Sequence, residues 1–219
     1  MDFAKARANM VDGQLMTGGV LDRDVLRVFG AVPREHFLPP AKRALAYLDM
    51  DVPLDVPGRF LVEATPLARL VALAKIGPSD VVLEIGCASG YGTMVLSKLA
   101  GSVVGLEADE ALAREADATL SALEVSNAAI VTGPFEAGWP SEGPYDAIVV
   151  SGAIDSVPPA LAQQLKEGGR LVAVIGRGRA AQATEHVKVG GVLAARPAFD
   201  GAIPPLPGFT RPETFAFPL

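Results

Sequence analysis

The pattern of apolar and polar positions changes character near residue 81. Before it, FAKARANMVDGQLM and LDRDVLRVFGAV carry apolar residues at helical spacing, with Val25, Leu26, Val28 and Phe29 on one face and Asp22 placed to cap the second helix. DVPLDVPGRFLVE, residues 51–63, holds two prolines and a glycine and reads as an extended or looped segment. Pro66 suits the first turn of a helix, PLARLVALAKI, that stops before Gly77 and Pro78. From Val81 onward, short apolar runs (VVLEI, SVVGLE, AAIVT, YDAIVVS, GRLVAVIG) alternate with helical stretches (TMVLSKLA, EALAREADATLSALEV, PALAQQL). Strands that are apolar nearly throughout, separated by helices, predict an α/β fold with a mostly parallel, doubly wound sheet covered on both faces. Two late strands are expected near ATEHVKV and VLAARPAF, followed by a proline-rich tail that folds over the sheet's edge. The expected division is an N-terminal helical extension with a substrate-side loop over 1–65, and a nucleotide-binding domain with its tail over 66–219.

Composition narrows the function classes. A net charge of −6 across 219 residues offers no basic face for nucleic acid, and the densest basic pair is Lys42 and Arg43. No run approaches the ~18 apolar residues of a membrane helix, and the charged N-terminus lacks the apolar core of a signal peptide. The single cysteine, Cys87, excludes an internal disulfide framework. Two separated histidines and one cysteine give no metal-ligand spacing. The expectation is a cytoplasmic protein without membrane or nucleic-acid partners, and no metal.

The candidate chemistry lies in VLEIGCASGYGT, residues 82–93. In an open parallel sheet, ligands sit beyond the carboxyl ends of the strands where strand order reverses, and the first strand-to-helix turn supplies backbone N–H groups. Gly86, Ala88 and Gly90 let a ligand approach that turn, with Cys87 and Ser89 between them and Glu84 on the strand itself. A dinucleotide fingerprint would require glycine at 86, 88 and 91, but the last two are Ala88 and Tyr91. No lysine follows for a phosphate loop. Glu107 ends the next strand, followed by Ala108, and a carboxylate there can accept both hydroxyls of a ribose. A ribose acceptor, a close backbone turn and no phosphate device together suit a nucleoside with a cationic amino-acid tail, S-adenosyl-L-methionine. A tight turn beside a solvated acid is the plainer alternative.

Three blocks in order then carry a resemblance. MVDGQLMTGGVLDRDVLRVFGAVPREHFLP, VLEIGCASGYGTMVLSKLAG and PYDAIVVSGAIDSVPPALAQQLKEGGRLVAVIG resemble the protein-L-isoaspartate O-methyltransferase family over most of the chain. The resemblance implies a Rossmann-like class I methyltransferase fold, S-adenosyl-L-methionine as donor with S-adenosyl-L-homocysteine as product, and an isoaspartyl carboxylate on damaged protein or peptide as acceptor. It implies protein repair as the role. Within the cofactor block, Cys87 and Ala88 stand where the family has threonine and glycine.

Two further departures bear on the site. The family's Thr-x-Ser-x-Pro element is missing: an ungapped register puts Phe60 and Val62 at its hydroxyl positions, and matching Pro66 puts Val62 and Ala64 there. Thr65 is the nearest hydroxyl and is expected to cap the helix beginning at Pro66. In TGPFEAGWP, Pro134 replaces the aspartate expected to touch adenine, leaving shape, carbonyls or the ring of Phe135, which is either adenine-facing or core. Loss of a charged hydrogen bond of ~1.5–3 kcal/mol weakens binding by roughly tenfold or more unless other contacts offset it. Methyl transfer to a carboxylate needs no general base, so the missing serine concerns orientation rather than nucleophilicity.

Candidate acceptor-side residues are Val62, Thr65, Ser151 and Asp155, with Ser156 beside the last. Cys87 reads as a small residue fitted to the turn, His36 as a helix-end or packing residue, His186 as surface, and Tyr91 and Trp139 as packing. A carboxyl methyltransferase retargeted to another peptide and a non-catalytic S-adenosyl-L-methionine-binding module are the alternative readings.

Overall fold

The computed structural model describes residues 1–209. Its centre is a seven-stranded sheet. In chain order the strands are β3 (Val81–Ile85), β4 (Ser102–Glu107), β5 (Ala128–Thr132), β6 (Tyr145–Ile154), β7 (Leu165–Ile175), β8 (Gln182–Val189) and β9 (Val192–Asp200). A separate two-stranded hairpin, β1 (Val52–Pro53) with β2 (Phe60–Leu61), precedes them. The order across the sheet is β5-β4-β3-β6-β7-β8-β9, parallel from β5 to β7 and antiparallel for the last two. Chain direction across the sheet reverses between β3 and β6, which places the topological switch beside the turn after β3. The expected Rossmann-like class I fold is what forms, including the late pair of strands.

Alternate residues of the central strands face opposite layers. Val82, Ala147, Val149, Val172 and Val174 join one apolar cluster with α3 (Ala64–Ala74), α4 (Tyr91–Ser97), α5 (Glu110–Ala122) and the N-terminal helices α1 (Phe3–Met10) and α2 (Arg23–Ala31). Leu83, Ile85, Ile148, Val150, Leu171 and Ala173 join the other, covered by α6 (Pro159–Gln163), Phe135 and the tail residues Leu206 and Phe209. Asp22 caps α2 as its composition predicts, accepting from the N–H of Asp24 at 2.9 Å and of Val25 at 3.1 Å. Among the described residues no helix is long and apolar enough to cross a membrane.

Three expectations are corrected. Thr65 does not cap α3: the helix starts at Ala64 with Glu63 in the capping position, so Thr65 sits in its first turn. His186 is not a surface residue; it lies in β8 between Leu171 and Ala195 and is 9% exposed. The proline-rich segment does not lie along the sheet's edge. Ala153 N–H donates to the Pro204 carbonyl at 2.9 Å and Leu206 N–H to the Ala153 carbonyl at 2.8 Å, which fixes residues 204–206 over the carboxyl end of central strand β6. Residues 210–219 of the tail lie outside the described residues.

Candidate active site

The turn between β3 and α4 is built from backbone hydrogen bonds and left-handed residues. Gly86 and Cys87 N–H both donate to the Leu106 carbonyl, at 2.9 and 3.1 Å, locking the turn to the end of β4. Gly86 has φ +77°, a conformation that glycine adopts without steric cost. Ala88 is also left-handed at φ +52°, and carries a cost of about 1 kcal/mol that a glycine there would not.

Glu107 is the electrostatic centre. Its carboxylate is fully buried and accepts the N–H of Ala88 at 2.8 Å, of Ala108 at 3.0 Å and of Asp109 at 3.3 Å. It also receives a bidentate pair from Arg59, Nε at 3.2 Å and Nη2 at 2.7 Å. Arg59 comes from the loop between β1 and β2, and its guanidinium also lies 5.3 Å from the centroid of the Phe135 ring. Nothing local in the sequence signals this pair, because its members are 48 residues apart.

Glu84 is a second buried carboxylate. Thr93 Oγ1 and Ser151 Oγ each donate to it at 2.6 Å. Ser151 reaches it from a bulge: β6 advances four residues between Val149 and Ala153 while β7 advances two, from Val172 to Val174. Room for the carboxyl comes from Gly92, where a Cβ would stand 2.0 Å from Glu84 Oε1. Burial raises the Glu84 carboxyl to about 6, against the pull of its two hydroxyl donors. Burial, with Glu84 and Glu107 nearby, likewise pushes the Cys87 thiol well above its ordinary range, in keeping with a residue fitted to the turn.

The remaining candidates fall around this pair of carboxylates. Pro134 is exposed, and Phe135 is buried in the second apolar cluster, its ring 5.3 Å from the Arg59 guanidinium. Val62 is buried, and its carbonyl accepts from Nη2 of Arg34. Arg34 is itself fully buried, donates Nε to the Ala46 carbonyl at 2.7 Å and lies over the Tyr91 ring at 4.8 Å. Within VPREHF, therefore, it is Arg34 that ties the N-terminal segment to position 62 and to the start of α4, while His36 is exposed. Thr65 packs beside Gly18, where a Cβ would stand 2.4 Å from its Cγ2. Asp155 is held by Arg177 through Nε at 3.1 Å and Nη2 at 3.0 Å. Glu63 adjoins Val62, and burial followed by the neighbouring Asp49 raises its carboxyl to about 7.

The donor set suits a ribose and an amino-acid tail: a carboxylate at the end of β4 and an open-backed glycine turn beside it. The space does not. A Cβ on Gly86 would meet Leu206 Cδ1 at 2.5 Å and Arg59 Nη2 at 3.4 Å. The cavity left among Val62, Glu84, Gly86 and Ser151 is about 20 Å³, room for roughly one water. As folded, the cradle holds the chain's own side chains.

A parallel sheet with its switch point at a glycine turn and a strand-end acid is common to nucleotide-binding folds; with antiparallel strands at one edge and no dinucleotide fingerprint, the arrangement here is that of a class I methyltransferase. The model of the protein-L-isoaspartate(D-aspartate) O-methyltransferase family matches residues 5–195. Among similar proteins, the protein-L-isoaspartate O-methyltransferase of Synechococcus sp. (strain JA-2-3B'a(2-13)) is 41% identical over 174 residues, covering 80% of this chain and 71% of that protein. That of Roseiflexus sp. (strain RS-1) is 40% identical over 182 residues, covering 83% and 82%. A solved protein-L-isoaspartate O-methyltransferase superposes with a TM-score of 0.79 at 26% identity, over 92% of this chain and 66% of that one. A Plasmodium falciparum protein of the same description, in complex with S-adenosyl-L-homocysteine, shares the fold with a TM-score of 0.76 at 21% identity, over 91% and 97%. The chain belongs to the protein-L-isoaspartate(D-aspartate) O-methyltransferase family, whose members are S-adenosyl-L-methionine-dependent methyltransferases.

Proposed function

We propose that this protein transfers a methyl group from S-adenosyl-L-methionine to the free carboxylate of an isoaspartyl residue in a damaged protein or peptide. The observation that carries the reading is the family match over residues 5–195, which includes the β3 turn and Glu107 at the end of β4. When bound, the cofactor supplies an activated methyl group. The roles given to this chain's residues are positioning ones. Glu107 and the N–H groups around it hold the ribose, Gly86 to Gly90 admit the amino-acid tail, and Phe135 closes the adenine end. An acceptor carboxylate is already ionised at neutral pH, so no base is assigned, and Glu84, sealed by two hydroxyls, keeps a structural role.

On the acceptor side, Val62 shapes the pocket. Both Val62 and Ala64 are buried and neither offers a hydroxyl, which favours a second reading in which the acceptor is an ordinary aspartyl side chain of a particular peptide. Work on proteins in the cytoplasm, and a part in their repair, complete the proposal. The test is transfer of labelled methyl to an isoaspartyl peptide with the matched aspartyl peptide alongside. The expected result is labelling of the isoaspartyl peptide at least tenfold above the other. Preference for the aspartyl peptide would establish the second reading. No transfer to either, by protein that circular dichroism shows folded, would overturn both.

A further inference from the structure

We propose that Arg59 and the segment Pro204–Phe209 form an internal plug that fills the nucleoside cradle, so that cofactor binding requires the plug to leave. The inference rests on the assignment of that cradle to S-adenosyl-L-methionine. Each part of the nucleoside has a chain group standing in its place. The Arg59 fork occupies both oxygens of Glu107, the carboxylate assigned to the ribose hydroxyls. Leu206, fully buried, lies against Gly86, where the amino-acid tail would pass, and against Gly152, where a Cβ would stand 3.0 Å from it. The Phe209 ring stacks on Phe135 at the adenine end, centroids 6.5 Å apart and planes at 12°.

The two halves of the plug also touch the same wall, since Arg59 and Phe209 both lie against the Phe135 ring. What holds the segment is limited. Two backbone hydrogen bonds to Ala153 and the side chains of Ile203, Leu206 and Phe209 anchor it, and it follows the last strand of the sheet rather than being threaded through it. Arg59 sits on the loop between β1 and β2 next to Gly58, its carbonyl accepting from Leu54 N–H at 2.9 Å and its own N–H donating to the Val56 carbonyl at 3.1 Å, so its release requires this short loop to open. A ligand competing with such an element binds with an affinity reduced by the fraction of molecules in which the site is open.

The experiment is calorimetric titration of S-adenosyl-L-homocysteine into the full chain and its Leu206→Ala, Phe209→Ala and Arg59→Ala variants, paired with hydrogen exchange at the Leu206 and Ala153 amides. The expected result is protected amides without ligand, loss of that protection on ligand binding, and a Kd at least tenfold lower in one or more variants. Three variants keep the test open if Leu206→Ala fails to fold. Binding by the variants but not by the wild type would mark a plug that is shut until released, and supports the proposal. Amides unprotected without ligand, or protection unchanged with ligand bound, would overturn it. Equal or weaker binding in all folded variants would do the same. Tight binding without methyl transfer would count against the proposed function while leaving the plug standing. No binding by any form would overturn both.

Discussion

Glu107→Ala is expected to cost 3–5 kcal/mol of folding stability, on the order found when one partner of a buried ion pair is removed. Arg59→Ala, which breaks the same contact, is expected to cost only about 1–2 kcal/mol. The asymmetry follows from what each substitution leaves behind. Without Glu107, the Arg59 guanidinium loses its carboxylate in a site where its side chain is 7% exposed, and the N–H groups of Ala88, Ala108 and Asp109 lose their acceptor. Without Arg59, the carboxylate retains all three of those donors. Urea unfolding of both variants, with the double variant to close the cycle, measures the difference. Equal losses would mean that the three N–H groups do not stabilise the carboxylate and that the pair alone does.

That contact also marks where sequence reading ended. β3, β4 and β6 were legible because strands buried on both faces must be apolar throughout, and the turn was legible because small residues at 86, 88 and 90 follow such a strand directly. Glu107 was legible from its place at the end of β4. Arg59 was not, because its meaning depends on a partner 48 residues away and its own neighbours, Pro57 and Gly58, signal only a loop. Thr65 misled for a local reason. Threonine before proline looks like a cap, but the helix begins at Ala64, two residues earlier than that reading allows, with Glu63 in the capping position and its N–H held by Asp51 at 2.8 Å. The tail misled because proline content predicts irregular backbone without saying where it lies. Its destination is decided by Leu206 and Phe209, which complete the thinly covered second face of the sheet.

The second large effect concerns pH. Burial holds the Glu84 carboxyl at about 6 rather than near 4.5, so the folded chain binds that proton more tightly than the unfolded chain does. A group raised in this way contributes stability that is present below the unfolded value and lost as pH rises through the folded one. The gap between 4.5 and about 6 corresponds to about 2 kcal/mol. Glu84→Gln removes the titration and leaves an amide that can still accept from Thr93 and Ser151. Relative to the wild type, this variant is expected to gain about 2 kcal/mol between pH 4.5 and pH 7.5. Comparing the two proteins at each pH cancels the contributions of Glu63 and Asp51, whose carboxyls are also raised. Denaturant titrations at both values provide the check. A stability difference that stays constant with pH would show that Glu84 is not the group responsible.

Whether the β3 turn and Glu107 form the cofactor's cradle is tested most directly by a crystal structure grown with saturating S-adenosyl-L-homocysteine. The predicted result is density for the ribose against the Glu107 carboxylate, the amino-acid tail along Gly86–Gly90, and Arg59 and Leu206 withdrawn from the positions they occupy here. Ligand bound elsewhere, with the Arg59–Glu107 pair intact and Leu206 still against Gly86, would contradict that assignment.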